Sequence, residues 1–189
     1  TELVMRGAHV VIASRNQERG EQAVAAIRGE TGRDHISLVT MDLSSKRSIQ
    51  LGCEAFLAEH AHLDVLIHNA ADFDISQKEP TYSDEGIETI WATNHVGPVF
   101  LTQQLHDALT QSDQGRIITV ASKGLMVHPQ LKVNLEDPEF RKGGFQVAKA
   151  YYQSKLAQVM YTYWLAERFK PSRATANCVR VTNVKIDID

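Results

Sequence analysis

Tyr151 and Lys155 stand four positions apart in the run Tyr-Tyr-Gln-Ser-Lys, a spacing that puts a phenol and an ammonium on one face of a helix. An ordinary tyrosine titrates near pH ~10 and seldom exchanges protons at neutrality. A nearby cation favours the phenolate and lowers that value. A phenol tuned in this way can serve as acid or base for a carbonyl/alcohol couple. The same spacing is common on solvated helix faces, where it does nothing, so the company of the pair decides its weight. Ser122 ends a strand-like run upstream. Asn94 lies four residues before Pro98, which has no N–H, so the Asn94 carbonyl cannot receive its helical bond from there. A kinked helix is expected at that point; a proline merely near a helix start is the plainer alternative.

Such residues need a scaffold, and the periodicity supplies one. The segment 8–14 is a short β-branched run of the kind buried on both faces of a sheet, and 36–41, 63–68, 115–121 and 174–181 also read as strands. Between them the apolar spacing turns helical. One helix is expected over 17–28, capped by Asn16, with Val24 and Ile27 inward and Gly29 and Gly32 at its exit. A second is capped by Ser44 or Ser45 and turns Ile49, Cys53, Phe56 and Leu57 inward. A third runs from Ile87 through Leu109, and the fourth, 146–169, carries Tyr151 and Lys155. The stretches 72–83 and 123–144 read as loops, the latter over an opening. This alternation predicts right-handed βαβ units and a doubly wound parallel α/β sheet of the Rossmann type, in a single domain over 1–189.

In such sheets the ligand crevice lies beyond the carboxyl ends of the strands. Ser14-Arg15 follows the first strand, with no carboxylate before Glu18. A guanidinium beside a hydroxyl suits a ribose 2′-phosphate, which favours NADP(H) over NAD; a surface arginine is the alternative. Asp42, followed by Leu43, is placed to accept from an adenine amine. Asn69, Ala70 and Ala71 are small enough for backbone to approach a flat cofactor. An Asp or Asn after a strand is as often a cap or turn former.

Composition narrows the field. A chain of 189 residues can build one good core. Its 43 % hydrophobic and 23 % charged residues are those of an ordinary soluble protein. A net charge of −3 with scattered basic residues makes no case for nucleic acid. No apolar run approaches the ~18 residues of a membrane span. Cys53 and Cys178 are expected as buried reduced thiols. The eight histidines, His60 and His62 at a helix end included, show no metal-ligand spacing. No signal-peptide pattern opens the chain; the expected location is cytoplasmic, any targeting or anchor segment lying outside these residues.

Taken in order, Arg15, Asp42-Leu43, Asn69-Ala-Ala71, Asn94-His-Val-Gly97, Thr119-Val-Ala-Ser122 and Tyr151…Lys155 resemble the short-chain dehydrogenase/reductase family over nearly the whole chain. The runs Asn94–Thr102 and Ala150–Leu156 look most like its retinol dehydrogenase and protochlorophyllide reductase branch. The resemblance implies NADPH as the usual cofactor and interconversion of an alcohol with a ketone or aldehyde, on a partly apolar small-molecule substrate. It implies that Tyr151 exchanges the proton, that Lys155 depresses its pKa and bonds the nicotinamide ribose, and that Ser122 orients the substrate oxygen. Asn94 would hold, on its free carbonyl, a water linking Lys155 to solvent. Family members often pair through the helices corresponding to 84–110 and 146–169, so a homodimer is one expectation.

Two departures from the family pattern matter. The opening residues, Thr1 to Gly7, resemble the tail of the first helix. The strand and glycine-rich turn that precede it, and that bring N–H groups to a pyrophosphate, are not in these residues. That strand would lie between the first and third strands seen here, which are therefore expected to keep unpaired edges. After the last strand the family shows Pro-Gly; here the sequence is Val179-Arg-Val-Thr-Asn183, leaving Thr182 as the candidate contact to the carboxamide. The expected entity is thus a partial domain. A non-catalytic, family-like module serving protein contact is the competing reading. A SAM- or nucleotide-binding domain on a similar sheet leaves Tyr151 and Lys155 beside Ser122 unexplained.

Overall fold

The computed structural model describes residues 1–181, so Thr182 lies outside the described residues. A short helix α1 (Glu2–Met5) leads into β1 (Val10–Ser14), α2 (Gln17–Thr31), β2 (Ile36–Thr40), α3 (Lys46–Glu59) and β3 (Val65–His68). Next come α4 (Thr89–Trp91), a π-helical turn (Ala92–Val96), α5 (Gly97–Gln104), α6 (His106–Gln111) and β4 (Arg116–Ser122). A 3₁₀ turn (Lys123–Val127), the long α7 (Val147–Arg168) and β5 (Thr175–Val181) complete the order.

Every strand pairing is parallel, as the helical crossovers require. β1 pairs with β2, and β4 is flanked by β3 and β5, giving two sheets among the described residues. Among the described residues β1 and β3 each keep one edge unpaired, as expected from the sequence. At the open edge of β3, Val65 and Ile67 are 41 % and 44 % exposed. The main core packs Met41, Ile49, Cys53, Leu101, Leu105, Leu109, Ile117, Leu165 and Phe169 between α3, α5–α7 and the three-stranded sheet. A smaller cluster, Val4, Val24 and Ile36, seats α1 and α2 on the two-stranded sheet.

The helix boundaries follow local chemistry. Asn16 caps α2 by accepting from Arg19 N–H at 2.9 Å, and Ser45 caps α3 by accepting from Ser48 N–H at 3.2 Å. Gly32 closes α2 in the left-handed conformation, φ 63°, whereas Gly29 is helical. Four expectations need correction. Leu57 is exposed, because α3 turns Ile49, Cys53 and Phe56 to the core and Leu57 falls beside that stripe. Cys178 is exposed, because β5 pairs on one side only and shows most of its residues outward. The helix expected from Ile87 to Leu109 is broken twice, by the π turn before Pro98 and at Leu105 (φ −101°, ψ 8°). The 123–144 stretch is no open loop throughout. It begins in a 3₁₀ turn and buries Phe140 against Ile90 and Ala150.

Candidate active site

The centre of the site is where α7 crosses the carboxyl end of β4. Lys155 is 2 % exposed, and its Nζ donates to the Val120 carbonyl of β4 at 3.2 Å and to Gln158 Oε1 at 3.0 Å. It lies 5.9 Å from the centroid of the Tyr151 ring. Burial pulls its pKa down to about 8, since nothing of opposite charge offsets the lost solvation. Tyr151 is half-buried between the tilted ring of Phe73, 4.5 Å away, and Tyr152 at 5.3 Å. Burial raises its phenol above the ordinary value; the neighbouring Ser122 hydroxyl works against that rise. The expected depression by Lys155 is therefore not what this geometry produces. Desolvation is the largest cause, and the Lys155 Nζ is turned to Val120 and Gln158. Ser122, the last residue of β4, accepts from Gly124 N–H at 3.2 Å and so starts the 3₁₀ turn.

Asn94 enters from the π turn. Pro98 removes the N–H that an α-helical bond would use, and the turn is wound one residue wider, with Gly97 N–H reaching the Ala92 carbonyl. The chain winds a π turn here that runs into α5 with Pro98 as its second residue, so the helix start named as the plainer alternative is present together with the irregular turn. The Asn94 side chain is fully buried. Its amide donates to the Asp72 carbonyl and to Ser154 Oγ, both at 3.0 Å, and its Oδ1 accepts from Asp72 N–H at 2.6 Å. Ser154 in turn donates to the Tyr151 carbonyl at 2.7 Å. Asn94 therefore clamps the segment after β3 to the helix that carries Tyr151.

The strand-end residues gather along the other side. Arg15 is exposed at the end of β1, and its charge reaches Asp72, whose carboxyl is nonetheless raised by burial, with Asp74 and Asp42 adding to the rise. Asp42 Oδ1 accepts from the Ser44 N–H at 2.8 Å and hydroxyl at 2.7 Å, the turn-forming use of this residue. Ser14 Oγ donates to the Asn16 carbonyl at 2.9 Å. Asn69, Ala70 and Ala71 are exposed at the end of β3. Leu43 is partly buried against the core, and its carbonyl oxygen sits where a β-carbon on Gly97 would have to go. This close approach joins the Asp42-Leu43 turn to the helix behind Asn94.

Sequence reasoning missed four contributors: Asp72, Ser154, Gln153 and Gln158. Gln153, 1 % exposed, donates to the Pro138 carbonyl at 2.7 Å and accepts from Asn134 N–H at 3.4 Å, fastening the long loop to α7. A signal existed for the last three: polar residues at buried positions of α7, where an amphipathic helix would place apolar ones. Among the described residues no group of three or more His, Cys, Asp or Glu is arranged to hold a metal ion, and no helix is long and apolar enough to cross a membrane.

A parallel α/β fold with polar groups at the carboxyl ends of its strands is the arrangement on which dinucleotide-binding proteins are built. The family model for the short chain dehydrogenase matches residues 1–133. The WW domain-containing oxidoreductase of Pongo abelii is 34 % identical over 184 residues, covering 95 % of this chain and 44 % of that protein. Retinol dehydrogenase 13 of Homo sapiens is 32 % identical over 178 residues, covering 94 % and 52 %. The crystal structure of an uncharacterized protein from Mycobacterium Paratuberculosis superposes with a TM-score of 0.79 at 30 % identity, covering 99 % of this chain and 63 % of that one. The chain belongs to the short-chain dehydrogenase family, among relatives of the retinol dehydrogenase type. It spans about half the length of the curated relatives it matches.

Proposed function

We propose that the protein is an NADP(H)-dependent oxidoreductase that interconverts an alcohol and a ketone or aldehyde, with Tyr151 as the acid/base. The observation that carries this reading is the meeting of Tyr151, Ser122 and a buried lysine, Lys155, at the carboxyl end of β4. A buried lysine without a carboxylate partner costs stability, and a structural role alone gives no return for it.

The donor set suits a phosphorylated dinucleotide. An exposed guanidinium at Arg15 favours a 2′-phosphate, the exposed Asn69-Ala70-Ala71 backbone admits a flat ring, and Lys155 has an ammonium to offer a ribose. When bound, the nicotinamide supplies the hydride. Tyr151, held protonated by burial at neutral pH, donates its proton to the carbonyl oxygen in reduction. Ser122 bonds the same oxygen and orients it. Lys155 stabilises the phenolate left behind, an interaction stronger after proton transfer than before it. Phe73, packed on Tyr151, puts apolar surface beside the phenol, which supports a partly apolar substrate.

The test is Tyr151→Phe in the full protein. Turnover of an aldehyde panel with NADPH is expected to fall by about 10²–10⁴-fold, the usual worth of a general acid, with NADPH affinity retained. Undiminished turnover dismisses the assignment. A non-catalytic contact module is the second reading, favoured by the exposed Met160, Tyr163 and Trp164 of α7. The same face supports pairing of two copies. Failure of the protein to bind NADPH in a fluorescence titration would favour the module.

A further inference from the structure

Five polar side chains of α7 are buried where apolar residues ordinarily pack: Gln153, Ser154, Lys155, Gln158 and Thr162. Three are explained by what they hold. Gln153 fastens the 134–138 loop, Ser154 joins Asn94 to the Tyr151 carbonyl, and Thr162 bonds the Gln158 carbonyl and Thr119 of β4. Gln158 is different. It is 2 % exposed, its amide oxygen accepts from Lys155 Nζ at 3.0 Å, and its amide nitrogen has no partner among the described residues. A half-satisfied buried amide is costly, and a methionine of similar length would fill the same space without that cost. What the amide supplies that methionine lacks is the oxygen facing the ammonium.

We propose that Gln158 is a positioning residue for Lys155, its amide oxygen fixing the ammonium in place and keeping it charged. The proposal rests on the reading of Tyr151 and Lys155 given above. An ammonium has three donors, of which the Val120 carbonyl and Gln158 take two, so the side chain is aimed before any ligand arrives. Both partners are neutral, and no ion pair among the described residues includes Lys155. Its charge therefore depends on these two acceptors. With the pKa already down to about 8, losing one of them brings deprotonation into the neutral range.

Few other ionisable groups act on it. His68 at the end of β3 senses the Lys155 charge but is itself held neutral. Tyr151 lies one turn back on the same helix. His95 of the π turn leans on Trp91 and Tyr161. Lys123 of the 3₁₀ turn and Cys178 and Arg180 of β5 are exposed.

The experiment is a ¹³Cε NMR titration of the lysines in the full protein, with the Lys155 signal assigned by its loss in Lys155→Met. Gln158→Met is expected to lower the Lys155 midpoint by about one pH unit, the worth of a hydrogen bond to a charged group. Gln158→Glu is expected to raise it, since a carboxylate then faces the ammonium. A residue that merely packs would change thermal stability without moving the midpoint in opposite directions. A midpoint unmoved in both folded variants overturns the proposal; where Gln158→Glu fails to fold, an unmoved midpoint in Gln158→Met does so alone. Tyr151→Phe turnover, measured alongside, separates the two readings. Retained turnover would remove the acid/base assignment while the titration still judged Gln158.

Discussion

Asn94 and Ser154 meet at 3.0 Å, amide nitrogen to hydroxyl oxygen, and neither has measurable exposure. One sits on the π turn and the other between Tyr151 and Lys155, so this bond sets the distance between two elements that must stay in register. Asn94→Leu keeps the bulk and strands the Asp72 N–H and carbonyl, at an expected cost of about 1–3 kcal/mol. Ser154→Ala should cost about 1 kcal/mol. Urea midpoints read both, and an unchanged midpoint for Asn94→Leu would show that the clamp adds no stability.

Arg15 has solvent around it and Asp72 within reach of its charge. Arg15→Asp replaces the donor fork with a carboxylate suited to a free ribose 2′-hydroxyl. The NADPH-to-NADH affinity ratio should fall at least tenfold. A ratio that does not move puts the 2′-phosphate elsewhere.

Gly97 has no room for a side chain, because the Leu43 carbonyl oxygen already occupies the β-carbon position. Backbone yields less readily than a flexible side chain, so Gly97→Ala must push the Asp42-Leu43 turn away from the helix. A loss of about 1–3 kcal/mol is expected from the overpacking, with weakened NADPH binding as the turn shifts. Wild-type thermal stability in this variant would place the turn differently.

His68 is held down to about 4, by burial first and by the Lys155 charge second, against 6.5 in a free chain. Its Nε2 meets Thr102 Oγ1 at 2.9 Å. The unfolded chain takes up the proton first as the pH falls, so the contribution is intact above about 6.5 and is lost progressively toward about 4. His95, lowered to about 4 by burial, adds in the same direction. Unfolding free energy should drop by on the order of 3 kcal/mol per histidine across that window. His68→Gln, which keeps a donor toward Thr102, should remove about half of the slope; an identical pH profile would reject the account.

Much of this arrangement was legible along the chain. The Asn16 and Ser45 caps, the five strands and the Tyr151–Lys155 helix depend on neighbours within a turn or two, where residue type and spacing carry the information. Pro98 announced the break before α5, since a missing N–H is a local fact. Leu57 and Cys178 misled because apolar type does not say which face finds a partner. The long loop misled because Phe140 is buried by contacts with Ile90, fifty positions away in the chain.

Residue order alone settled that strands and helices alternate and that a phenol and an ammonium share one helix face, because these follow from local periodicity; that a serine would join them was what the family resemblance implied. Only the packed molecule could decide the electrostatics. Whether Tyr151 is pulled down by a cation or pushed up by burial depends on how much water each group keeps and where the lysine points. Those quantities are set by distant segments closing on one another, and no spacing rule contains them.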